Sequence, residues 1–153
     1  MMSQVSGRAG RKSKQGKVII QTYNPYHQVI RDVIAHDYTA MYQSQILERR
    51  NFKYPPFYKL IALTLKHKDS RLLNDGARDL AYLLREKLGK RILGPEYPLI
   101  SKIKNLYLKN ILIKLERDES LLQRKSEILS IIDSFKSGPS FHNIRININV
   151  DPV

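Results

Sequence analysis

Between Phe57 and Asp151 the period of the apolar residues switches from two to 3.6 and back, twice over. Phe57 to Lys68 sets Lys59, Ile61, Leu63 and Leu65 against Tyr58, Leu60, Ala62 and Thr64, a largely apolar strand. Asp69 or Ser70 then caps a helix running to Leu88, with Leu72, Leu73, Ala77, Leu80, Ala81, Leu84 and Leu88 on one stripe. Gly89 suits the position just past its end. Arg91-Ile92-Leu93 reads as a short strand, and Gly94-Pro95-Glu96-Tyr97-Pro98 as a turn or loop. Leu106 to Glu116 is a second long strand. Asp118 caps a helix whose stripe is Leu121, Leu122, Ile128, Ile131, Ile132 and Phe135, and Ser137-Gly138-Pro139 breaks it. The last strand sends Ile144, Ile146, Ile148 and Val150 one way, and Arg145, Asn147, Asn149 and Asp151 the other.

That order predicts the split β-α-β, ferredoxin-like topology, an α+β antiparallel sheet with two helices on one face. The polar face of the last strand then falls on the open side of the sheet. Residues 1–56 do not complete a domain by the same reading. The first 17 hold little to bury, and Val18-Ile19-Ile20 has the pattern of a strand buried in a parallel sheet. Asn24-Pro25 ends it. Two helices follow, from His27 to Ala35 with Val29, Ile30, Val33 and Ile34 on its stripe, and from Asp37, its cap, to Asn51. Tyr38, Met41, Tyr42 and Leu47 are among the apolar positions of the second. Tyr54-Pro55-Pro56-Phe57 stops it as a stiff extended joint, because two prolines fix φ and remove two donors. Residues 1–56 therefore look like the last strand and helices of a larger α/β domain, with residues 57–153 as the domain that follows.

Charge narrows the partners. The chain has 27 Lys and Arg against 14 Asp and Glu, a net charge of +13 in 153 residues. Residues 1–17 carry +5, residues 18–57 carry +1, residues 58–118 carry +7, and the remainder balance. A polyanion partner is expected, and the plain alternative is a basic surface kept for solubility. Cysteine is absent, which excludes disulfides and thiolate metal sites within the chain. Apolar runs are only a few residues long, and Met1-Met2 lead straight into polar sequence. Neither a membrane span nor a signal peptide is expected, and the expected compartment is the cytoplasm. His27, His36, His67 and His142 are scattered without metal-ligand spacing.

The most specific short string is Gln4-Val5-Ser6-Gly7-Arg8-Ala9-Gly10-Arg11. Glycines let a backbone approach a ligand closely, and two arginines three apart present planar donor forks to phosphate. A flexible basic arm is the plainer reading of the same residues. The whole string resembles the Q-x-x-G-R-x-G-R motif that closes the second motor lobe of superfamily-2 helicases. The chain goes on to resemble the primosomal replication-restart helicases (the primosomal protein N-prime family) in Gly16, Val18-Ile19-Ile20-Gln21-Thr22, Asn24-Pro25 and His27. Ala35-His36-Asp37-Tyr38, Glu48-Arg49, Tyr54-Pro55-Pro56-Phe57, Leu93-Gly94-Pro95 and Val150-Asp151-Pro152 continue the likeness, in order, over essentially the whole chain.

The resemblance implies a bacterial, ATP-driven 3′-to-5′ DNA helicase that recognises stalled or repaired forks and helps reload the replicative helicase. Residues 1–56 would be the end of the second, RecA-like motor lobe, and Tyr54 to Phe57 a hinge between the domains. Arg8 and Arg11 would take the arginine-finger role on the γ-phosphate, with Gln4, Gly7 and Gly10 lining the nucleotide. ATP and Mg²⁺ are the implied cofactors, and zinc that of a cysteine-rich insert. The resemblance further implies that the ferredoxin-like domain binds DNA and partners such as single-stranded DNA-binding protein. This chain has no G-x-x-x-x-G-K-[ST] loop, no Asp-Glu box and no cysteines. It is therefore expected to be a fragment or a truncated frame that neither hydrolyses ATP alone nor holds the zinc.

The second basic zone runs from Lys90 to Lys114. Lys90, Arg91, Lys102, Lys104 and Lys109 are the expected DNA-contacting cations, with Tyr107 as an interleaved ring. An edge strand guarded by lysines is the competing reading. Two alternatives to the motor fragment remain open. One is a stand-alone nucleic-acid-binding adaptor, the other a remnant without motor activity.

Overall fold

A computed structural model of the chain describes residues 17–152. They fall into two units that divide between Asn51 and Phe52.

In the first unit, α1 spans Gln28–Ile34 and α2 spans Tyr38–Asn51. The His27 ring caps α1 by accepting from the Val29 amide at 3.3 Å. Asp37 caps α2, its Oδ1 accepting from the Ala40 amide at 2.9 Å. The expected strand at Val18-Ile19-Ile20 does not form, and Ile19 is 91% exposed. A strand of a parallel sheet needs neighbours for its amides and carbonyls, and none of the described strands pairs with this run.

In the second unit, β1 is Tyr58–His67, α3 is Ser70–Leu88, β2 is Ile92–Glu96 and β3 is Lys102–Ile103. Then come β4, Leu106–Glu116, α4, Leu121–Ser137, and β5, Arg145–Val150. The sheet order is β2-β4-β1-β5, every pairing is antiparallel, and β3 adds to β4 as a hairpin. This is the split β-α-β arrangement. β1 and β2 run parallel with β4 between them, and the two helices pack on one face.

The core follows from the two periods. Ile61, Leu63 and Leu65 of β1 and Ile111, Ile113 and Leu115 of β4 bury one face of the sheet. Leu73, Ala77, Leu80, Ala81, Leu84 and Leu88 of α3 cover it, with Ile128, Ile132 and Phe135 of α4. Asp69 starts α3 by accepting from the amides of Arg71 at 2.7 Å and Leu72 at 3.2 Å, and these two bonds lower its pKa. Gly89 follows α3 at φ +59, where a glycine is favoured.

Several local expectations are corrected. β2 does not stop at Leu93 but continues through Gly94-Pro95 to Glu96, with a register shift between Leu93 and Glu96. A bulged edge strand tolerates a residue without an amide hydrogen. β3 was not expected. Its two residues pair with Tyr107 and Leu106 across a two-residue turn, Lys104-Asn105, with Lys104 at φ 54. Ser120, not Asp118, occupies the N-cap position of α4, and Asp118 sits outside the helix, accepting from the Ser120 hydroxyl at 2.6 Å. Leu122 is 78% exposed, because one step along a helix turns it 100° from Leu121. Tyr54 to Phe57 is a compact turn rather than an extended joint. The amides of Phe57 and Tyr58 both return to the Tyr54 carbonyl, at 3.1 and 3.3 Å.

Asp151 closes the fold. Its amide donates to the Leu60 carbonyl at 2.8 Å, its Oδ1 accepts from the Leu60 amide at 3.0 Å, and its Oδ2 pairs with Lys59 Nζ. The Lys59 hydrogen bond, followed by that of the Leu60 amide, lowers its pKa below 3.8. A depressed carboxyl pKa stabilises the fold above the unfolded value, and that stabilisation is lost as pH falls through the folded value. Asp151→Asn tolerates the positive φ of 48 but lacks the charge. It is expected to cost about 1 kcal/mol at pH 7, in a partly exposed site. Urea midpoints should converge with wild type as pH drops below 3.8. A gap that persists in acid would assign the effect to something other than the carboxylate.

Candidate nucleic-acid interface

The strand β4 carries the basic zone and also divides it. Ile111, Ile113 and Leu115 face the helices, so Lys109 shares their side while Lys114 opens on the other. Tyr107 and Glu116 stand near opposite ends of β4, about 30 Å apart at roughly 3.3 Å per residue. The six expected DNA-contacting residues therefore form two groups, not one patch.

The first group surrounds the β3–β4 hairpin. Lys102 Nζ lies 4.6 Å from the centre of the Tyr107 ring and 3.4 Å from its hydroxyl. Lys109 Nζ lies 3.6 Å above the Tyr97 ring, and the Tyr97 hydroxyl donates to Asn74 Oδ1 at 2.9 Å. Lys104 stands exposed at the hairpin turn, with the half-exposed Ile103 beside it. Each cation–π contact at an exposed site is worth about 0.5–1 kcal/mol, and it orients both partners at once. Lys102 and Lys109 present charge to phosphate, each held over a tyrosine ring, and Tyr107 also packs against the core.

The second group lies at the far end of β4. Lys90 and Arg91 stand on the turn between α3 and β2, the segment Gly89–Arg91. Arg91 is engaged. Its Nε donates to Glu116 Oε2 at 2.7 Å and its NH1 to the Leu88 carbonyl at 3.2 Å. Arg124 reaches the same carboxylate oxygen at 3.1 Å and also pairs with Asp118 at 3.1 Å. Burial pushes the Glu116 carboxyl up, but the Arg91 hydrogen bond and the surrounding positive charge together bring its pKa below the ordinary value. Its hydrogen bond to Glu116 raises the Arg91 pKa. This guanidinium ties the turn before β2 to β4, with two of its donors engaged.

Two lysines of this end, Lys114 and Lys53, were not among the expected DNA contacts, although Lys114 closes the basic zone. Lys114 Nζ lies 4.0 Å from the Tyr54 ring and donates to the Phe52 carbonyl at 2.7 Å. Lys53, at φ 58, holds its Nζ 6.0 Å from the Tyr58 ring. The signal available was the Tyr-Pro-Pro-Phe turn, which folds Tyr54 back toward β1. Nothing local says that it meets a lysine some sixty residues later. Gln4, Gly7, Arg8, Gly10 and Arg11, expected to line a nucleotide, lie outside the described residues. Among the described residues no three His, Asp or Glu side chains gather as metal ligands. Among them, too, no helix is long and apolar enough to cross a membrane.

Comparisons with known proteins identify the family. Residues 50–153 match the family model described as the primosomal protein N C-terminal domain. A relative from Bacillus subtilis (strain 168), named replication restart protein PriA, is 34% identical over 99% of this chain and 19% of its own length. Relatives of the same name from Synechocystis and Treponema pallidum are 33% and 31% identical, over 99% and 100% of this chain. The chain spans about a fifth of the length of these relatives. The chain belongs to the primosomal protein N C-terminal domain family.

Proposed function

We propose that the chain is the C-terminal part of an ATP-driven 3′-to-5′ DNA helicase that acts at stalled or repaired replication forks and promotes primosome assembly. The observation that carries this is the similarity to replication restart proteins over 99% of the chain, beyond residues 50–153 into the front segment. On this reading residues 1–56 end the second motor lobe. Arg8 and Arg11 stabilise charge on the γ-phosphate, and Gln4, Gly7 and Gly10 line the nucleotide. ATP and Mg²⁺ are held by motor segments that this sequence does not contain, and zinc by an insert it also lacks. Alone, the chain turns over no ATP. It works in the cytoplasm, with single-stranded DNA-binding protein and other primosome proteins as partners.

The second unit contributes DNA contact through the β3–β4 hairpin. Lys102 and Lys104 are exposed, so reversing them leaves the core untouched. Lys102→Glu with Lys104→Glu is expected to weaken fork-DNA binding about tenfold or more at moderate salt, by the loss of two phosphate contacts. Fluorescence anisotropy with a labelled fork measures this. Unchanged affinity would remove the hairpin from the interface.

A further inference from the structure

At the Glu116 end of β4, on the face away from the helices, the second unit holds a cavity of about 340 Å³. Lys53, Lys90, Arg91 and Lys114 line it, against one carboxylate, Glu116. Arg91 and Glu116 neutralise each other at 2.7 Å, so the ammonium groups set the charge of the cavity. The Tyr58 ring and the half-exposed Leu93 form its apolar walls. We propose that this cavity is a phosphate site that holds one phosphate-bearing nucleotide of a single strand, separately from the hairpin.

The side-chain chemistry selects the ligand. Two donors of Arg91 are already taken, by Glu116 and by the Leu88 carbonyl, so the ammonium groups of the lysines carry the anion binding. Lysines act as point charges and suit the tetrahedral oxygens of phosphate. Burial and the neighbouring Lys53 charge hold Lys114 below the ordinary lysine range, and a phosphate between the two ammonium groups relieves both effects. The volume also selects. It matches a small-ligand site and is too small for a duplex, while Tyr58 and Leu93 offer a surface for a sugar or base. Position makes the site independent, because the hairpin lies at the other end of β4 and Lys109 on its other face.

This rests on the nucleic-acid reading of the second unit, and its test uses the full chain. Amide shifts of labelled protein are followed while a 5′-phosphorylated thymidine dinucleotide, its 5′-hydroxyl form or inorganic phosphate is added. Shifts are expected at Lys53, Tyr58, Lys90, Leu93 and Lys114. The exposed pair Lys53→Glu with Lys90→Glu should weaken dinucleotide binding about tenfold. Lys102→Glu with Lys104→Glu should change it by less than about twofold, since distant sites are independent. Tighter binding of the 5′-phosphorylated form identifies a strand end. Equal binding of both dinucleotides identifies an internal phosphate, and each result supports the site. Inorganic phosphate binding as tightly as the dinucleotide would overturn the nucleotide assignment. Tighter binding of an acidic, phosphate-free peptide at the same amides would overturn the phosphate site, as would shifts confined to residues 102–109 or none at all. Fork binding that depends on Lys102 and Lys104 survives any of these failures, so the two readings fail separately.

Discussion

Leu63→Ala is expected to destabilise the second unit by about 3–5 kcal/mol, the range for emptying a rigid core position. Leu63 has no exposed surface. It sits mid-strand in β1, opposite Ile111 of β4 on one side and Ile148 of β5 on the other. Both flanking strands hold the backbone, so the walls cannot move in to fill the void, and the lost contacts are not recovered. A domain of this size has on the order of 5–15 kcal/mol in total, so much of the margin goes. Urea unfolding followed by far-ultraviolet circular dichroism measures the loss. Leu63→Met, nearly equal in volume, should cost less than about 1.5 kcal/mol. A loss under about 1 kcal/mol for the alanine variant would mean that the core does not centre on β1.

Gly94→Ala is expected to cost about 2–4 kcal/mol, from strain and collision together. The residue has φ +89, and a Cβ there would stand 2.7 Å from the Asn110 carbonyl oxygen and 3.2 Å from the Glu96 amide nitrogen. Both are backbone atoms of paired strands and cannot swing aside. The Gly94 carbonyl also accepts from the Arg85 guanidinium, which fixes the bulge against α3. Gly89 isolates the two causes. It too has positive φ, but nothing lies within 4 Å of its Cβ position. Gly89→Ala, at φ 59 and ψ −132, should therefore show only the conformational cost, about 1–2 kcal/mol. Equal losses in urea unfolding at the two sites would rule out the collision with β4.

What the sequence made legible was whatever repeats locally. The stripe of α3 and the alternation of β1 and β4 are set by neighbours within a few residues, and the split β-α-β order follows from their sequence. Features fixed by distant partners were not legible. Asp151 belongs to the polar alternation of β5, yet it leaves that pattern to hold Lys59 and Leu60, some ninety residues earlier. Ile148 and Val150 follow the apolar alternation and are still 45% and 48% exposed, because β5 is an edge strand and packing gives out along it. The extension of β2 was hidden by Gly94-Pro95, which reads as a turn in any local window. The basic zone was legible as charge but not as geometry. Six residues close in sequence order are distributed by one straight strand to opposite ends, and parity sends Lys109 and Lys114 to opposite faces.

Salt dependence of fork-DNA binding by the purified chain tests the nucleic-acid role most directly. Each neutralised phosphate contributes roughly 0.7–0.9 to the slope of log affinity against log salt. Lys102, Lys104 and Lys109 at the hairpin give an expected slope of about −2 to −3 or steeper. Lys102→Glu with Lys104→Glu should flatten it by about 1.4–1.8. An affinity that does not change with salt, or the same slope in both proteins, would contradict DNA docking through the hairpin.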